Sequence, residues 1–184
     1  MKGDNMKKRD YGSIIEVIVV IVIVFLIFRY VVIPIRIDGS SMENNLHDND
    51  IALINTVSVS EKNIHRFDVV VIYSDELNEM IIKRVIGLPG DTIEFKKDNL
   101  FINGKRMKQD FLNSDFVEES KRKYNSQYFT NNFKVTVEEG RYFVMGDNRL
   151  RSTDSRDLGS FEIDDFVGVQ GVVVFPFSDI QWLD

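Results

Sequence analysis

An apolar run of 20 residues, from Ile14 to Ile33, is the feature that most constrains the fold of this chain. As a helix the run would be about 30 Å long, enough to cross the hydrocarbon core of a bilayer. Its charged residues lie near the two ends, Glu16 at one and Arg29 at the other, where a long side chain can reach the headgroups. The sequence therefore predicts a transmembrane anchor over residues 14–35.

Two other interpretations of the run stay open. Its uninterrupted apolar core, Val17–Phe28, is shorter than a full span, and a short core is typical of a cleaved signal peptide. Such a peptide ends at a site with small residues, however, and the only alanine of the chain is Ala52. The third interpretation, a buried helix of a soluble domain, is the least favoured. A retained anchor agrees best with the sequence.

The charges around the run predict its orientation and exclude some functions. The first 35 residues carry five basic and three acidic side chains, whereas the rest of the chain carries 18 basic and 26 acidic ones. Because basic flanks stay in the cytoplasm, residues 1–13 are expected there, with residues 36–184 outside the cell membrane. The net charge of −6 argues against a nucleic-acid partner. The chain has no cysteine, which excludes disulfides and thiolate zinc sites.

The outer part of the chain has the pattern of a mostly β protein. Short segments rich in valine and isoleucine alternate with polar breaks, which predicts an antiparallel β-sheet domain. The predicted strands are Asp50–Val57, Phe67–Tyr73, Glu79–Gly87, Thr92–Phe95, Leu100–Gly104, Phe133–Val137, Arg141–Gly146 and Phe166–Phe175. The polar segment 105–132 interrupts this series and is expected to be a small peripheral insertion of strands and loops.

Two residues stand out as candidates for chemistry. Ser41 lies in a glycine-containing turn just after the anchor, and Lys83 follows two isoleucines in a predicted core strand. Lysine is seldom fully buried without a reason, although an edge-strand lysine facing water is the simpler interpretation. The two histidines, His47 and His65, lie in polar loop-like contexts. Neither is placed by the sequence in a Ser-His-Asp arrangement.

The order of the motifs resembles a known family. "IDGSSM" is followed by "FDVVVI", "IIKRVIGLPGD" and "MGDNRLRSTDSRDLG", all after one N-terminal anchor. The chain resembles a type I signal peptidase of the Gram-positive kind, from the anchor to about Val174. The resemblance implies a membrane-bound serine endopeptidase with a Ser/Lys dyad. Its partners would be signal-peptide-bearing preproteins and the lipid bilayer, and it would need no cofactor and no metal.

The resemblance also implies roles for individual residues. Ser41 matches the nucleophile, Lys83 the general base and Ser152 the serine that holds the lysine amine. In the loop around Ser152, the residues that match the family's supporting residues are Asp154, Arg156, Asp147, Asn148 and Arg149. The residues that match the walls of the family's substrate-binding groove are Ile37, Gly39, Met42, Leu46, Ile81 and Ile82. A depressed lysine pKa would make histidine unnecessary, because a neutral amine can take the serine proton.

The sequence departs from the family at two places near the nucleophile. Some relatives have a serine two residues before the nucleophile as an oxyanion donor, and here that residue is Gly39. Relatives usually continue with x-Pro-Thr-Leu after Ser-Met, whereas Glu43, Asn44 and Asn45 precede the retained Leu46 here. Two alternatives to the peptidase therefore stay open. One is a catalytically idle relative that acts as a membrane-tethered scaffold or chaperone, and the other is an anchored hydrolase that uses a histidine.

Overall fold

A computed structural model describes residues 4–183, with side-chain exposure described from Gly12 onward. Helix α1, Asp4–Tyr30, opens the chain. Its stretch Gly12–Tyr30 is long and apolar enough to cross a membrane, and none of that stretch is buried against the rest of the protein. The interpretation as a buried helix of a soluble domain is therefore wrong. Since strand β1, Val32–Arg36, follows almost at once, the range predicted for the anchor is too long at its C-terminal end.

The junction between α1 and β1 is held by backbone hydrogen bonds on both sides. The Val31 N–H donates to the carbonyl of Ile27, at 2.8 Å, which continues the helical pattern. The Val31 carbonyl accepts from the N–H of Thr56, at 3.0 Å, and from its hydroxyl, at 3.3 Å. A single residue thus connects the helix to the first strand, and it is tied to the end of the neighbouring strand.

The rest of the chain forms antiparallel sheets, as the sequence predicts. The described residues contain thirteen strands and two further helices. After β1 the strands are β2 Ile51–Asn55, β3 Val69–Ser74, β4 Glu79–Gly87, β5 Thr92–Lys96, β6 Asn99–Ile102, β7 Lys105–Met107, β8 Phe133–Thr136, β9 Arg141–Met145, β10 Phe161–Glu162, β11 Phe166–Val169, β12 Gly171–Phe175 and β13 Gln181–Leu183; the helices are α2 Ser114–Lys123 and α3 Ser155–Leu158.

These strands make three sheets, and residues of the central sheet contribute to the hydrophobic clusters of both other sheets. The sheet that follows the anchor has the order β1-β2-β12-β13, the central sheet β10-β9-β4-β3-β11, and the outer sheet β7-β6-β5-β8. In the central sheet, β4 lies between β3 and β9, with Lys83 opposite Val70 and Arg84 opposite both Val69 and Met145. The strand that carries the candidate base is therefore an interior strand, and the expectation of an exposed edge-strand lysine does not apply.

Two segments differ from their predicted structure. The segment Phe166–Phe175 forms two strands because Gln170 adopts a left-handed backbone, with φ of 57°, and transfers the chain from the central sheet to the anchor sheet. The segment 105–132 contains helix α2 in addition to β7. The helix begins after Asn113, whose side chain accepts hydrogen bonds from the N–H groups of Asp115 and Phe116. An asparagine cap with an acidic first turn and a basic last turn is a sequence signal for this helix.

Candidate active site

The nucleophile turn lies between β1 and β2 and is shaped by backbone hydrogen bonds. Gly39 has a φ of 86°, which favours glycine, and its N–H donates to Asp48 Oδ1 at 2.8 Å. The Glu43 N–H donates to the carbonyl of Ser40, at 3.2 Å, and closes the turn around Ser41. Beneath the turn, Met42 and Leu46 are buried in the core of the anchor sheet. The turn therefore presents the half-buried Ser41 side chain from a packed base.

Lys83 meets Ser41 across this turn. Its Nζ lies 2.8 Å from Ser41 Oγ and 2.9 Å from the carbonyl oxygen of Ile82. The Lys83 side chain is buried, and this desolvation lowers its pKa from 10.5 to about 8, against the opposing charges of Asp154, Glu79 and Asp147. A neutral amine is thus accessible near physiological pH. It lies within hydrogen-bond reach of the hydroxyl from which it would take a proton.

The pair opens onto a groove of about 670 Å³ between the first strand and β4. Predicted substrate-binding residues that line it are Ile37, Gly39, Met42, Ile81 and Ile82. Leu46 is fully buried under the turn and does not line the groove, so its predicted place in the groove wall is wrong. Its backbone N–H caps the turn at the Met42 carbonyl, which explains its position in the core.

The loop after β9 holds the nucleophile turn from the other side. The N–H of Asn148 donates to the carbonyl of Ser41 at 3.0 Å. Its side-chain amide donates to the carbonyl of Ser40 at 3.1 Å and to Glu43 Oε2 at 3.3 Å. The structure therefore brings Asn148, predicted as a supporting residue, into direct contact with the backbone of the nucleophile.

Asp147 is the centre of a buried charged cluster beside the dyad. It accepts hydrogen bonds from Arg84 Nε at 2.9 Å and Nη2 at 2.8 Å, and from Asn45 Nδ2 at 2.6 Å. Arg84 also donates to the carbonyl of Phe67, at 2.7 Å, and stacks over the ring of Phe111. A bidentate pair of this kind fixes the relative positions of β4 and the loop.

Arg149 fixes the same loop to the segment 105–132. It donates to the carbonyl of Gly146 at 3.0 Å, to Gln109 Oε1 at 2.8 Å and to Thr130 Oγ1 at 3.2 Å. Burial lowers the pKa of Arg149 to about 10, although the nearby Asp147 opposes this shift. The segment 105–132 thus contributes a buried partner, Thr130, and a part-buried partner, Gln109, to the site loop.

Asp154 and Arg156 form a second pair at the end of the loop. Arg156 Nε and Nη2 each donate to the Asp154 carboxylate at 2.8 Å, and the Gly146 N–H donates to it at 3.0 Å. Burial by itself would raise the pKa of Asp154, but the hydrogen bonds and charge of Arg156 outweigh it and the pKa is lowered. Arg156 also donates to the carbonyl oxygens of Arg149 and Ser152, which closes the loop.

Gly146 packs closely against both Ser152 and the backbone of Ser41. A Cβ added at Gly146 would be 2.3 Å from Ser152 Oγ and 2.4 Å from the Ser41 carbonyl oxygen. The described partners of the Lys83 amine are Ser41 and the Ile82 carbonyl. The support of the lysine by Ser152 therefore stays a prediction, whereas the close packing of both Ser152 and the Ser41 carbonyl against Gly146 is observed.

The two histidines lie away from this arrangement. The side chains of His47 and His65 are 57% and 69% exposed, each beside an aspartate of its own loop. Neither is among the residues that line the groove. The site geometry gives no support to a hydrolase that depends on a histidine.

Sequence reasoning missed three residues that shape the site. Asn45 connects the nucleophile turn to Asp147 and also donates to the carbonyl of Phe111 at 2.9 Å. Arg84 and Gly146 each lie within a motif of the resemblance, but the sequence predicts no role for either residue. A buried arginine next to a buried lysine was a visible signal for Arg84. The contacts of Asn45 depend on residues more than 60 positions away and had no local signal.

The comparisons with known proteins agree with this geometry. The family model described as signal peptidase, peptidase S26, matches residues 11–175. Signal peptidase I U of Bacillus subtilis (strain 168) is 37% identical, over 98% of this chain and 97% of the relative. Signal peptidase IB of Staphylococcus aureus (strain COL) is 33% identical, over 96% and 95%. A crystal structure of a signal peptidase I from Enterococcus faecalis V583 is 37% identical, covers 58% of this chain and 95% of its own, and has a TM-score of 0.49.

The family model and the two named sequence relatives extend over nearly the whole chain, including the segments that carry Ser41, Lys83 and the loop after β9. The expected Gram-positive form of the family is confirmed, because the named relatives come from Bacillus and Staphylococcus. The chain therefore belongs to the signal peptidase family, peptidase S26, and its function is that of a signal peptidase I, a membrane-anchored serine peptidase.

Proposed function

We propose that Ser41 and Lys83 carry out the cleavage of signal peptides from exported preproteins. The observation that carries this proposal is the 2.8 Å contact of Lys83 Nζ with Ser41 Oγ at the base of a peptide-sized groove. A serine hydroxyl needs a base to become a strong nucleophile, and the buried amine is the nearest candidate. With a pKa of about 8, roughly a tenth of the lysine is neutral at pH 7.

In the first step, the neutral Lys83 amine takes the Ser41 proton while Oγ attacks the carbonyl carbon of the scissile bond. The resulting oxyanion needs hydrogen-bond donors. The N–H of Ser41 is one candidate, since no described residue accepts a hydrogen bond from it. Gly39 has no hydroxyl to add, so a second donor would have to come from elsewhere on the turn.

Collapse of the tetrahedral intermediate breaks the scissile C–N bond, and the Lys83 ammonium gives its proton to the leaving amine. The signal peptide is then an ester of Ser41. A water molecule, deprotonated by the same lysine, attacks this ester and releases the carboxylic acid, and Ser41 regains its proton. One base with a pKa near the working pH can serve both half-reactions.

The substrate would bind as an added strand. An extended peptide can lie between Ile37–Gly39 and Met80–Ile82, which line opposite sides of the groove. Main-chain hydrogen bonds give such a complex affinity, and alternate side chains enter the pockets. The apolar walls at Met42, Ile81 and Ile82 are suited to small uncharged side chains before the cleaved bond.

The test is cleavage of a detergent-solubilised preprotein by the full-length chain. Ser41→Ala and Lys83→Ala should each reduce kcat by at least about a thousandfold, and the double variant should be no worse, because the two residues act as a unit. His65→Ala is the matched control and should keep wild-type rates. Robust turnover by Lys83→Ala would contradict the mechanism. Folded but inactive wild-type protein would favour the scaffold or chaperone alternative.

We further propose that α1 is a retained anchor, with residues 1–13 in the cytoplasm and residues 36–184 outside the membrane as the catalytic domain. The basic N-terminus supports this orientation. Large apolar side chains on and beside the anchor sheet are exposed, with Phe177 at 79% and Trp182 at 78%. Aromatic side chains favour the membrane interface, so this end of the sheet is suited to contact with the bilayer that holds α1.

Protease added to intact protoplasts tests the orientation. The domain after Pro34 should be digested while an N-terminal tag on residues 1–13 stays protected. N-terminal sequencing of the mature protein separates an anchor from a cleaved signal peptide. A new N-terminus beyond Val32 on all molecules would contradict the retained anchor.

A further inference from the structure

Charged side chains line the groove around the Ser41–Lys83 pair, namely Arg36, Asp38, Glu79 and Arg151. Ser41 and Lys83 lie at one end, and Glu79, four residues earlier on β4, lies about 13 Å away toward the other, since a strand advances about 3.3 Å per residue. At the Ser41 end, Arg151 and Thr153 of the loop after β9 join the lining. In the proposed binding mode, the signal-peptide side of a bound substrate lies along Met80–Ile82. The mature side would then leave the groove past the loop that carries Arg151.

Arg151 is held at this exit without a carboxylate partner. Its N–H donates to the carbonyl of Asn148, at 2.9 Å, and Asn148 in turn bonds the Ser41 carbonyl. Its exposed guanidinium lies 5.8 Å from the ring centroid of Tyr124, and the Lys123 amine lies 5.4 Å from the same ring. Among the described residues, neither Arg151 nor Lys123 forms an ion pair, in contrast to Lys121, which contacts Glu118 and Asp98.

This arrangement leaves two cations around one aromatic ring at the exit of the groove. Tyr124 is the C-cap of α2, so the ring is fixed to the segment 105–132 while Arg151 is fixed to the site loop. A guanidinium stacked on an aromatic ring keeps its donors free for a carboxylate. The exit is thus suited to an acidic side chain and repels a basic one.

We propose that Arg151, positioned by Tyr124, selects preproteins with an acidic residue at the first or second position after the cleaved bond. The inference rests on the proposed function, because it takes the direction of the substrate from the Ser41–Lys83 mechanism. Arg151 acts as a specificity-determining residue: it binds the mature side of the substrate and takes no part in proton transfer.

The experiment compares peptides that differ at one position. The full-length protein in detergent micelles is given preprotein-like peptides with Glu, Gln or Lys at the first or the second residue after the cleaved bond, and kcat/KM is measured for each. Wild type should favour Glu over Lys by about three- to tenfold at one of these positions, the range expected for one exposed ion pair and its repulsive counterpart. The preference should fade at high salt, because exposed charges are screened.

The variants identify the residue responsible. Arg151→Gln should bring the Glu/Lys ratio close to one, and Arg151→Glu should invert it. Tyr124→Leu should weaken the ratio. Arg106→Gln, which removes the same charge from β7, is the control and should leave the ratio unchanged. An equal ratio in wild type and Arg151→Gln, with the Gln peptides cleaved by both, would overturn the inference alone. Failure of wild type to cleave any peptide would overturn the proposed function and this inference with it.

Discussion

Lys83 and Arg84 follow one another in β4, and both cations are buried, with 3% and 5% of their surfaces exposed. Arg84 is paired with Asp147, which accepts two hydrogen bonds from it. Lys83 has no carboxylate within ion-pair distance among the described residues, and its partners are a hydroxyl and a carbonyl. The same strand thus holds one cation that is compensated and one that is left uncompensated.

This difference between the two cations fits a structural role for Arg84 and the proposed role of Lys83 as the base. A buried cation with a bidentate carboxylate stays charged and holds two elements together. A buried cation without one loses affinity for its proton, and Lys83 shows this as a pKa of about 8. The same desolvation that costs stability lowers the proton affinity of Lys83, so that part of the amine is neutral near physiological pH. The following predictions test this comparison, from the largest expected effect to the smallest.

Lys83→Met should abolish cleavage and stabilise the fold. Loss of the general base should reduce kcat by at least about a thousandfold, within the range of about 10²–10⁴ that general bases contribute. Because the folded pKa lies below the unfolded value of 10.5, wild-type stability rises with pH from about 8 to 10.5, and the full cost of about 3 kcal/mol is present below pH 8. Unfolding in detergent should show a gain of about 1–3 kcal/mol at pH 7 and loss of this pH dependence. A variant less stable than wild type at pH 7 would refute the claim that Lys83 is uncompensated.

Arg84→Met should act in the opposite sense. Removing one member of a buried pair leaves the other uncompensated, which costs about 3–5 kcal/mol. The double variant Arg84→Met/Asp147→Leu should be more stable than Arg84→Met, because the buried Asp147 carboxylate that has lost Arg84 is removed as well. Thermal unfolding of the two variants measures the difference. Equal stability of wild type and Arg84→Met would mean that the pair does not hold the site loop.

Asn45→Ala should have an intermediate effect. It removes the hydrogen bonds to Asp147 and to the Phe111 carbonyl, and a bond to a charged group is worth about 1.5–3 kcal/mol. We expect a stability loss in that range and a fall in kcat, because the nucleophile turn loses its connection to the cluster around Asp147. Asn63→Ala, at an exposed asparagine, is the control and should change stability by less than about 0.5 kcal/mol. Wild-type stability in Asn45→Ala would contradict this role.

Glu79→Gln should have the smallest effect and tests the long-range part of the comparison. The charge of Glu79 raises the pKa of Lys83, so its removal should lower that pKa further and move the acid limb of the pH–rate profile to lower pH. Since Glu79 is exposed, salt should suppress the shift. Glu76→Gln is the control, and its acid limb should stay in place. An acid limb that moves in His47→Ala or His65→Ala would identify a different base.

The sequence predicted the strands better than the contacts between them. Strand β4 has the predicted bounds, and most other strands lie within a residue or two of theirs, because alternating and β-branched residues are a local signal. The break at Gln170 and the helix α2 were missed, although the Asn113 cap was visible. Strands β10 and β13 are not among the predicted strands, and β1 begins within the range predicted for the anchor because it continues the anchor's apolar character.

The site shows the same limit. Ser41 and Lys83 were predicted from the resemblance, and the structure brings them to 2.8 Å. Leu46 and Asn45 show that a local sequence pattern does not predict burial or long-range contacts. Both follow the nucleophile, yet one is buried under the turn and the other reaches Asp147, 102 residues later. Their positions depend on how the turn folds back on the loop after β9, which the residue types near Ser41 do not specify.

The hydrogen bonds of Val31 fix the end of helix α1 relative to the anchor sheet. In the proposed orientation α1 ends at the membrane surface, one residue separates it from β1, and Thr56 ties that residue to the end of β2. The groove starts on the same strand, at Ile35 and Arg36, so little flexible chain lies between the bilayer and Ser41. In that orientation Ser41 would be held at a set distance from the lipid. If Ser41 is the nucleophile, this distance would restrict cleavage to bonds at a matching depth beyond the apolar segment of the signal peptide.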